Sequence, residues 1–397
     1  MDPSHLDELQ RTLSSKGPEA AIEHLCTALR SQKDYANLFY ALLLKKRHAL
    51  GVSPVPTEGA NELPESVHAP YEEAIRDAGR LVGQLYLDEG DILHAWMYYR
   101  MLGETEPVAK ALERYRFKEE EDPQQLIEIA FHHGVHPRKG FDWILDRYGI
   151  CSTITTVSGQ QFPDPAVREY CIRGLVHALY EQLRQRLAEE VARHEGKAPE
   201  SQSVRELMAG KDYLFEDDFY HVDVSHLSSI VQMSVHLSPG AELDMARELC
   251  AYGQRLSPRF QYAGDPPFEE QYRDYGIYLS VLAGDKVDEG IAHFRAKAKH
   301  ADPETVGTFP AEVLVNLLVR IDRPAEALQV ARQFLTKPQS TPSSCPSIVE
   351  LCRQTRDYKT LAEVAREQGD PVHFMAGLLA GNIFTPKGVA QHSPGSR

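Results

Sequence analysis

The sequence lacks the features that mark membrane, secreted and disulfide-rich proteins. It has no run of 18 apolar residues, and therefore no candidate transmembrane helix. Its first residues, MDPSHLDELQ, have neither the basic nor the apolar region of a signal peptide. The six cysteines lie far apart and form no C-x-x-C pair, which is typical of a reducing compartment where thiols serve as small core residues. These absences predict a cytoplasmic protein.

Positive charge is also scarce. The chain has 43 basic and 58 acidic residues, a net charge of −15, and its longest basic run is Lys45-Lys46-Arg47. A field of this sign repels a nucleic-acid duplex and an anionic membrane surface. We therefore expect neither nucleic acid nor membrane as a partner.

The usual signatures of catalysis are missing as well. There is no glycine-rich phosphate loop, no G-x-S-x-G motif and no Rossmann fingerprint. Cys151 could act as a nucleophile if a histidine lay nearby, but a lone cysteine does not establish this. The sequence gives no catalytic residue and no cofactor, and it favours a non-enzymatic protein.

The clearest pattern that is present lies in residues 72–107. Apolar residues three or four apart predict one helix: Ile75, Ala78, Leu81, Val82, Leu85 and Tyr86. Glu89-Gly90-Asp91 interrupts this stripe, and Asp91 is a good N-cap for a second helix. The second stripe consists of Ile92, Ala95, Trp96 and Tyr99. The pattern predicts an antiparallel helical hairpin of about 34 residues.

Small residues let two helices approach each other, and large aromatic residues fill the space beside them. Five such positions stand at the spacing of the tetratricopeptide repeat: Gly83, Tyr86, Ala95, Tyr99 and Pro107. The stretch resembles that family, although Gly79 and Val82 replace the Trp and Leu expected early in its first helix. The resemblance implies an α-solenoid whose concave face binds a partner peptide or helix. The partner contacts would come from exposed positions of the first helix, namely Arg76, Arg80 and Gln84.

One hairpin cannot bury both of its faces, so the pattern should recur. Fainter hairpins are predicted in four other ranges: 5–33, 272–301, 310–338 and 347–367. The expected fold class is all-α, a tetratricopeptide-like α-solenoid of antiparallel helical hairpins with a long central helix and an irregular insert. The predicted order is N-terminal hairpins (1–51), a linker (52–70), tetratricopeptide-like hairpins (71–149), the long helix, insert and further helices (150–267), C-terminal repeats (268–381) and a disordered tail (382–397).

The central region holds the two least repeat-like segments. Residues 150–162 are rich in β-branched and polar residues, and we expect an ordered loop there. Asp164-Pro165 then resembles the N-cap and first position of a helix that runs to Gly196, about 45 Å. This helix either spans its domain as a spine or pairs residues 165–194 with a second copy to form a homodimer.

Two histidine clusters raise the possibility of a metal. In H-V-D-V-S-H, the residues His221, Asp223 and His226 could hold Zn²⁺ or a similar ion. A metal-dependent enzyme on a helical scaffold is thus the alternative function. The simpler interpretation is that Asp223 or Ser225 caps a helix and that His226 lies on the surface.

The second histidine cluster and a group of tyrosines each have both a functional and a structural interpretation. His132, His133 and His136 could bind a metal, or could simply lie at the carboxyl end of a helix. The tyrosines of 262–278 could anchor a partner, because tyrosine offers a large contact area with one polar tip. At helical spacing they are more often packed in the core.

Overall fold

The computed structural model describes residues 3–55, 63–118, 120–197, 199, 203–302, 304–335 and 344–384. Throughout these ranges the chain is all-α, with no β-strand and one isolated bridge between Ala263 and Glu270. No helix among them is both long and apolar enough to cross a membrane. The chain divides into two units, Met1–Thr153 and Ile154–Arg397.

The first unit contains eight described helices, of which the last crosses the unit boundary. They are α1 (Pro3–Lys16), α2 (Pro18–Ser31), α3 (Tyr35–Ala49), α4 (Glu65–Asp88), α5 (Ile92–Leu102), α6 (Glu106–Arg114), α7 (Gln124–Ile127) and α8 (Pro137–Gly159). A π-helical turn, Glu128–His132, continues α7. From α1 to α6 each helix packs against the next one along the chain. The hairpin predicted for residues 72–107 is present as α4 and α5.

Two loop predictions in and beside this unit need correction. The predicted linker, 52–70, ends early because α4 begins at Glu65, and Pro70 lies inside the helix. Near its amino end a proline removes one intrahelical hydrogen bond without ending the helix. Residues 56–62 of the predicted linker lie outside the described part of the chain.

The loop predicted for residues 150–162 is helical up to Gly159, with a non-helical Gly149 inside α8. Thr153, Ile154 and Val157 are all buried, and the Thr153 hydroxyl donates to the Gly149 carbonyl at 2.7 Å. Burial of this apolar face outweighs the weak helix propensity of the β-branched residues.

The second unit contains the remaining helices. They are α9 (Pro165–Glu195), α10 (Val204–Met208), α11 (Val224–Met233), α12 (Ala241–Arg255), α13 (Gln271–Leu282), α14 (Val287–His300), α15 (Phe309–Arg320), α16 (Pro324–Phe334), α17 (Ile348–Thr355), α18 (Tyr358–Gln368) and α19 (Pro371–Phe384). From α12 to α19 each helix again packs against the next. The predicted tail begins too early, because α19 continues to Phe384; residues 385–397 lie outside the described part.

Helix α9 is the spine of this unit. Asp164 caps it by accepting from the Ala166 amide at 2.9 Å, and Gly196 ends it in the left-handed region. Its apolar stripe is fully buried: Cys171, Leu175, Leu179, Leu183, Leu187 and Val191. Helices α10, α11 and α12 cover α9. The stripe that a homodimer through 165–194 would use is therefore occupied by the same chain.

Candidate functional site

An open groove of about 420 Å³ lies beside α13 and α15 in the second unit. Its apolar lining comes from Phe268, Tyr275, Tyr278, Phe309 and Val313. We call this the aromatic groove. Helices α13 and α15 contact each other, and the groove lies beside this contact.

The rings of the groove hold one another in place. Phe268, just before α13, stacks on Tyr275 with 4.0 Å between ring centroids and 2° between ring planes. Phe294 of α14 packs edge-on against Phe268 and Tyr278. At the start of α15, Phe309 is 45% exposed. The groove thus has a fixed aromatic wall and one ring presented to solvent.

Polar contacts fix the edges of the groove. The Arg320 guanidinium donates to the carbonyls of Val235 and Leu237, which holds the turn before α12 against α15. The Asn316 amide donates to the Ser344 carbonyl at 2.8 Å. Burial raises the pKa of Tyr278, so its hydroxyl stays neutral. The groove can therefore accept an apolar side chain against its rings, beside the neutral Tyr278 hydroxyl.

The opposite face of α13 borders a cavity of about 480 Å³ with a charged lining. Arg247 of α12 donates to Asp285 at 2.6 Å and to the Ser280 hydroxyl at 3.2 Å. Its guanidinium is therefore already satisfied within the chain. Of the two faces of α13, the aromatic one offers more apolar area to a ligand.

The predicted partner contacts of the first unit lie on or near the surface of α4. Arg76 is exposed, whereas Arg80 donates to Glu104 at 2.8 and 3.0 Å. This hydrogen-bonded pairing raises the pKa of Arg80 and lowers that of Glu104. Gln84 donates to Asp88 at 2.8 Å. Arg76 and Gln84 are thus exposed, whereas Arg80 is half-buried.

Gln84 also borders an open cavity of about 570 Å³ in the first unit. Lys110, Arg114 and Tyr115 line the same cavity from α6 and its end. A partner that reached Gln84 would therefore also meet two cationic side chains. Of the three contacts predicted on α4, Gln84 lines this concave part of the surface.

The proposed metal ligands His221, Asp223 and His226 have separate structural roles. Asp223 caps α11, accepting from the amides of Ser225 at 2.8 Å and of His226 at 3.2 Å. His226 is half-buried.

His221 is 3% exposed, and its ring contacts the Tyr252 hydroxyl through Nδ1 at 3.2 Å. Burial, and then the charge of Arg186, lower the pKa of His221 to about 4. Its Nε2 has no hydrogen-bond partner among the described residues. A neutral, buried imidazole of this kind is typical of core packing.

The second histidine cluster is similarly dispersed. His136 pairs with Glu113 at 2.6 Å, and the rings of His133 and His132 pack beside Trp96 and Phe131. In the ranges that the structure describes, no group of three or more His, Cys, Asp or Glu side chains could hold a metal.

Comparisons with protein-family models, with curated proteins and with solved structures find no match for this chain. The helical architecture therefore comes from the structure, and the tetratricopeptide resemblance from the sequence pattern. Sequence reasoning named the tyrosines of 262–278 as possible partner anchors, but it did not predict the aromatic groove that Tyr275 and Tyr278 line. The available signal was the pair Tyr275 and Tyr278, three residues apart, but their spacing is equally compatible with a fully buried stripe.

Proposed function

We propose that this protein is a non-enzymatic interaction or scaffold protein, a tetratricopeptide-like solenoid that binds a peptide or helix of a protein partner. The observation that supports the proposal is the aromatic groove between the first helices of two successive hairpins, α13 and α15. Stacked hairpins form extended binding surfaces of this kind. The proposed setting is the cytoplasm.

The lining of the aromatic groove indicates the chemistry of the occupant. Phe309 and Val313 lie four residues apart on α15, and therefore on one face of that helix. Tyr275 and Tyr278 face them from α13. A partner helix with apolar residues at positions i and i+3 or i+4 would place them against these side chains. Apolar anchors of the partner would provide most of the binding free energy.

The predicted contacts on α4 remain part of the proposal for the first unit. Arg76 is exposed and would attract an acidic side chain of the partner, and Gln84 would hydrogen-bond to the partner's backbone. Arg80 would contribute less, because Glu104 already occupies its guanidinium. The variant Arg76→Glu tests this surface without breaking the pair between Arg80 and Glu104.

The experiment is a selection of peptides from a random library on the intact protein, followed by affinity measurements with variants. We expect the selected peptides to carry spaced apolar residues. Phe309→Ala should weaken their binding at least tenfold, about 1.4 kcal/mol. A pull-down from the source lysate, with and without a selected peptide as competitor, would then identify the natural partner.

The matched control is Phe219→Ala, which removes a comparably exposed phenylalanine of the same unit outside the groove; Phe219 is 50% exposed and Phe309 45%. Peptide binding should survive this control. If the two variants bind equally well, the aromatic groove is not the binding site. If no peptide is enriched and no partner is displaced, the scaffold proposal itself fails.

A further inference from the structure

The charged cavity of about 480 Å³ on the face of α13 opposite the aromatic groove has no part in the peptide binding proposed above. We call it the basic cavity. Residues with small side chains or none line it from three helices, namely Ala251 of α12, Gly276 and Ser280 of α13 and Gly290 of α14. They leave open a space of the size that proteins use to bind ligands.

The charge of this lining is opposite to that of the chain. Its cationic side chains outnumber its carboxylates by four to two: Arg205, Arg247, Arg273 and Lys286 against Asp285 and Glu289. The chain as a whole carries a net charge of −15. Because a concave surface concentrates the field of the charges that line it, the basic cavity attracts anions that the rest of the protein repels.

Two of the four cationic side chains are available to a ligand. Arg247 is satisfied within the chain, as described above, and Arg273 donates to Glu270 at 2.8 Å. Arg205 and Lys286 are exposed, and neither side chain forms an ion pair or a hydrogen bond with any residue that the structure describes. They reach the cavity from separate elements, α10 and the turn before α14. A ligand with two anionic groups can therefore engage both.

A histidine in the wall of the basic cavity is held in a fixed orientation. His293 lines the cavity, and its Nε2 lies 2.8 Å from Oδ1 of Asp274, whose side chain is 1% exposed. Because a carboxylate only accepts hydrogen bonds, Nε2 carries a proton and donates it to this bond. The other ring nitrogen, Nδ1, has no partner among the described residues. It is left free to hydrogen-bond to the backbone of a bound chain.

These groups favour an acidic peptide over other anions. No phenylalanine, tyrosine or tryptophan is among the described residues that line the basic cavity, so a nucleobase would have no ring to stack on. A peptide supplies carboxylates for the two available cations and amide groups for the imidazole. We propose that the basic cavity binds an acidic segment of a partner protein, with its carboxylates on Arg205 and Lys286 and its backbone against His293. The site is separate from the aromatic groove, so either binding can fail without the other.

The experiment is fluorescence anisotropy of the full chain with a short labelled peptide of alternating Glu and Ser, and with the same peptide carrying Gln in place of Glu. We expect the Glu peptide alone to bind, and its binding to weaken as salt is raised. Arg205→Glu/Lys286→Glu should raise its dissociation constant about tenfold or more. The control, Lys299→Glu/Arg353→Glu, reverses two exposed cations of the same unit outside the cavity and should leave the affinity within about twofold. Equal losses in the two double variants would overturn the proposal, because net charge and not the cavity would then determine binding.

A neutral variant tests the cavity without changing its charge. Gly276→Gln adds a side chain to the cavity, and its Cβ would meet Cys250 and Gln254 at ordinary distances of 3.4 and 3.5 Å. It should weaken binding of the Glu peptide about tenfold or more, while circular dichroism shows an unchanged fold. Unchanged affinity in this variant, or no binding by the wild-type protein, would overturn the proposal. So would displacement of the peptide by inorganic phosphate at constant ionic strength, which would indicate a phosphate site. Phe309→Ala, which tests the aromatic groove, should leave this binding intact.

Discussion

The hairpin α4/α5 of the first unit and the hairpin α13/α14 of the second bring their helices together in the same way. A glycine faces a bulky side chain at each crossing. A Cβ on Gly83 would lie 2.8 Å from Tyr99 Cε2, and one on Gly290 would lie 2.2 Å from Val281 Cγ2. In both hairpins only the absence of a side chain permits the contact.

The two hairpins differ in the ionic contact that links their helices. In the first unit, Arg80 and Glu104 pair on the surface, with side chains 43% and 34% exposed. In the second, the Asp274 carboxylate is 1% exposed and accepts from His293 at 2.8 Å and from Lys297 at 2.7 Å. A surface pair can exchange its partner with a ligand at little cost, whereas a buried one cannot.

The difference shows how one architecture can carry two kinds of surface. The hairpin with the exposed pair keeps these two charged groups at the solvent-exposed surface. In the other hairpin the charged groups pair with each other in the interior and stabilise the fold. The surface of that hairpin presents the aromatic rings of Tyr275 and Tyr278 to the groove. Hairpin packing alone therefore does not determine which kind of surface a hairpin presents.

The largest expected effect comes from the buried carboxylate. Asp274→Ala should lower the free energy of unfolding by about 3 kcal/mol, because it leaves the Lys297 ammonium and the His293 ring without their shared acceptor. Urea unfolding followed by circular dichroism measures the change.

Glu104→Ala is the matched control in the first unit, since it removes the acid of the exposed pair. It should cost far less than Asp274→Ala, and its cost should shrink further in high salt, where surface charges are screened. Equal losses in the two variants would contradict the distinction between a buried and an exposed ionic contact.

A smaller effect is expected at the helix crossings. Gly290→Ala should destabilise the protein by about 2 kcal/mol, because the added methyl group collides with Val281. Gly276→Ala on α13 is the control: its methyl group would meet Cys250 at an ordinary 3.4 Å. That variant should be neutral or more stable by about 0.5 kcal/mol, because alanine is favoured over glycine within a helix. A loss of stability in both variants would show that helix interiors here tolerate no change.

Helix positions were predictable because they depend on local pattern. The all-α class, the α4/α5 hairpin and the long α9 follow from apolar spacing and from caps such as Asp91 and Asp164. The loop prediction for residues 150–162 failed because it was based on residue composition, which does not show which side chains are buried. Residues 150–159 form a helix in which Ile154 and Val157 are buried.

The candidate site was less predictable for the same reason. Arg80 forms its hydrogen-bonded ion pair with Glu104, which lies 24 residues further along the chain. This pairing depends on the folded geometry and not on the sequence around either residue. The aromatic groove needs Phe268 and Tyr275 to meet Phe309, which lies more than thirty residues further along the chain. Sequence spacing identified the helices that carry these rings, but not which rings face a groove.

The smallest predicted effect concerns how the second helix of each hairpin begins. Asp91 caps α5 by accepting from the His94 amide at 3.1 Å. The N-cap residue of α14 is Lys286, which is left-handed with a φ of 49° and gives no side-chain cap. Asp91→Ala should therefore cost about 1 kcal/mol. Lys286→Gly should cost nothing and can add stability, because glycine adopts positive φ freely. Urea unfolding of both variants measures the change in the free energy of unfolding. If Lys286→Gly loses as much stability as Asp91→Ala, the prediction is wrong, and the Lys286 side chain stabilises α14 in some way other than capping.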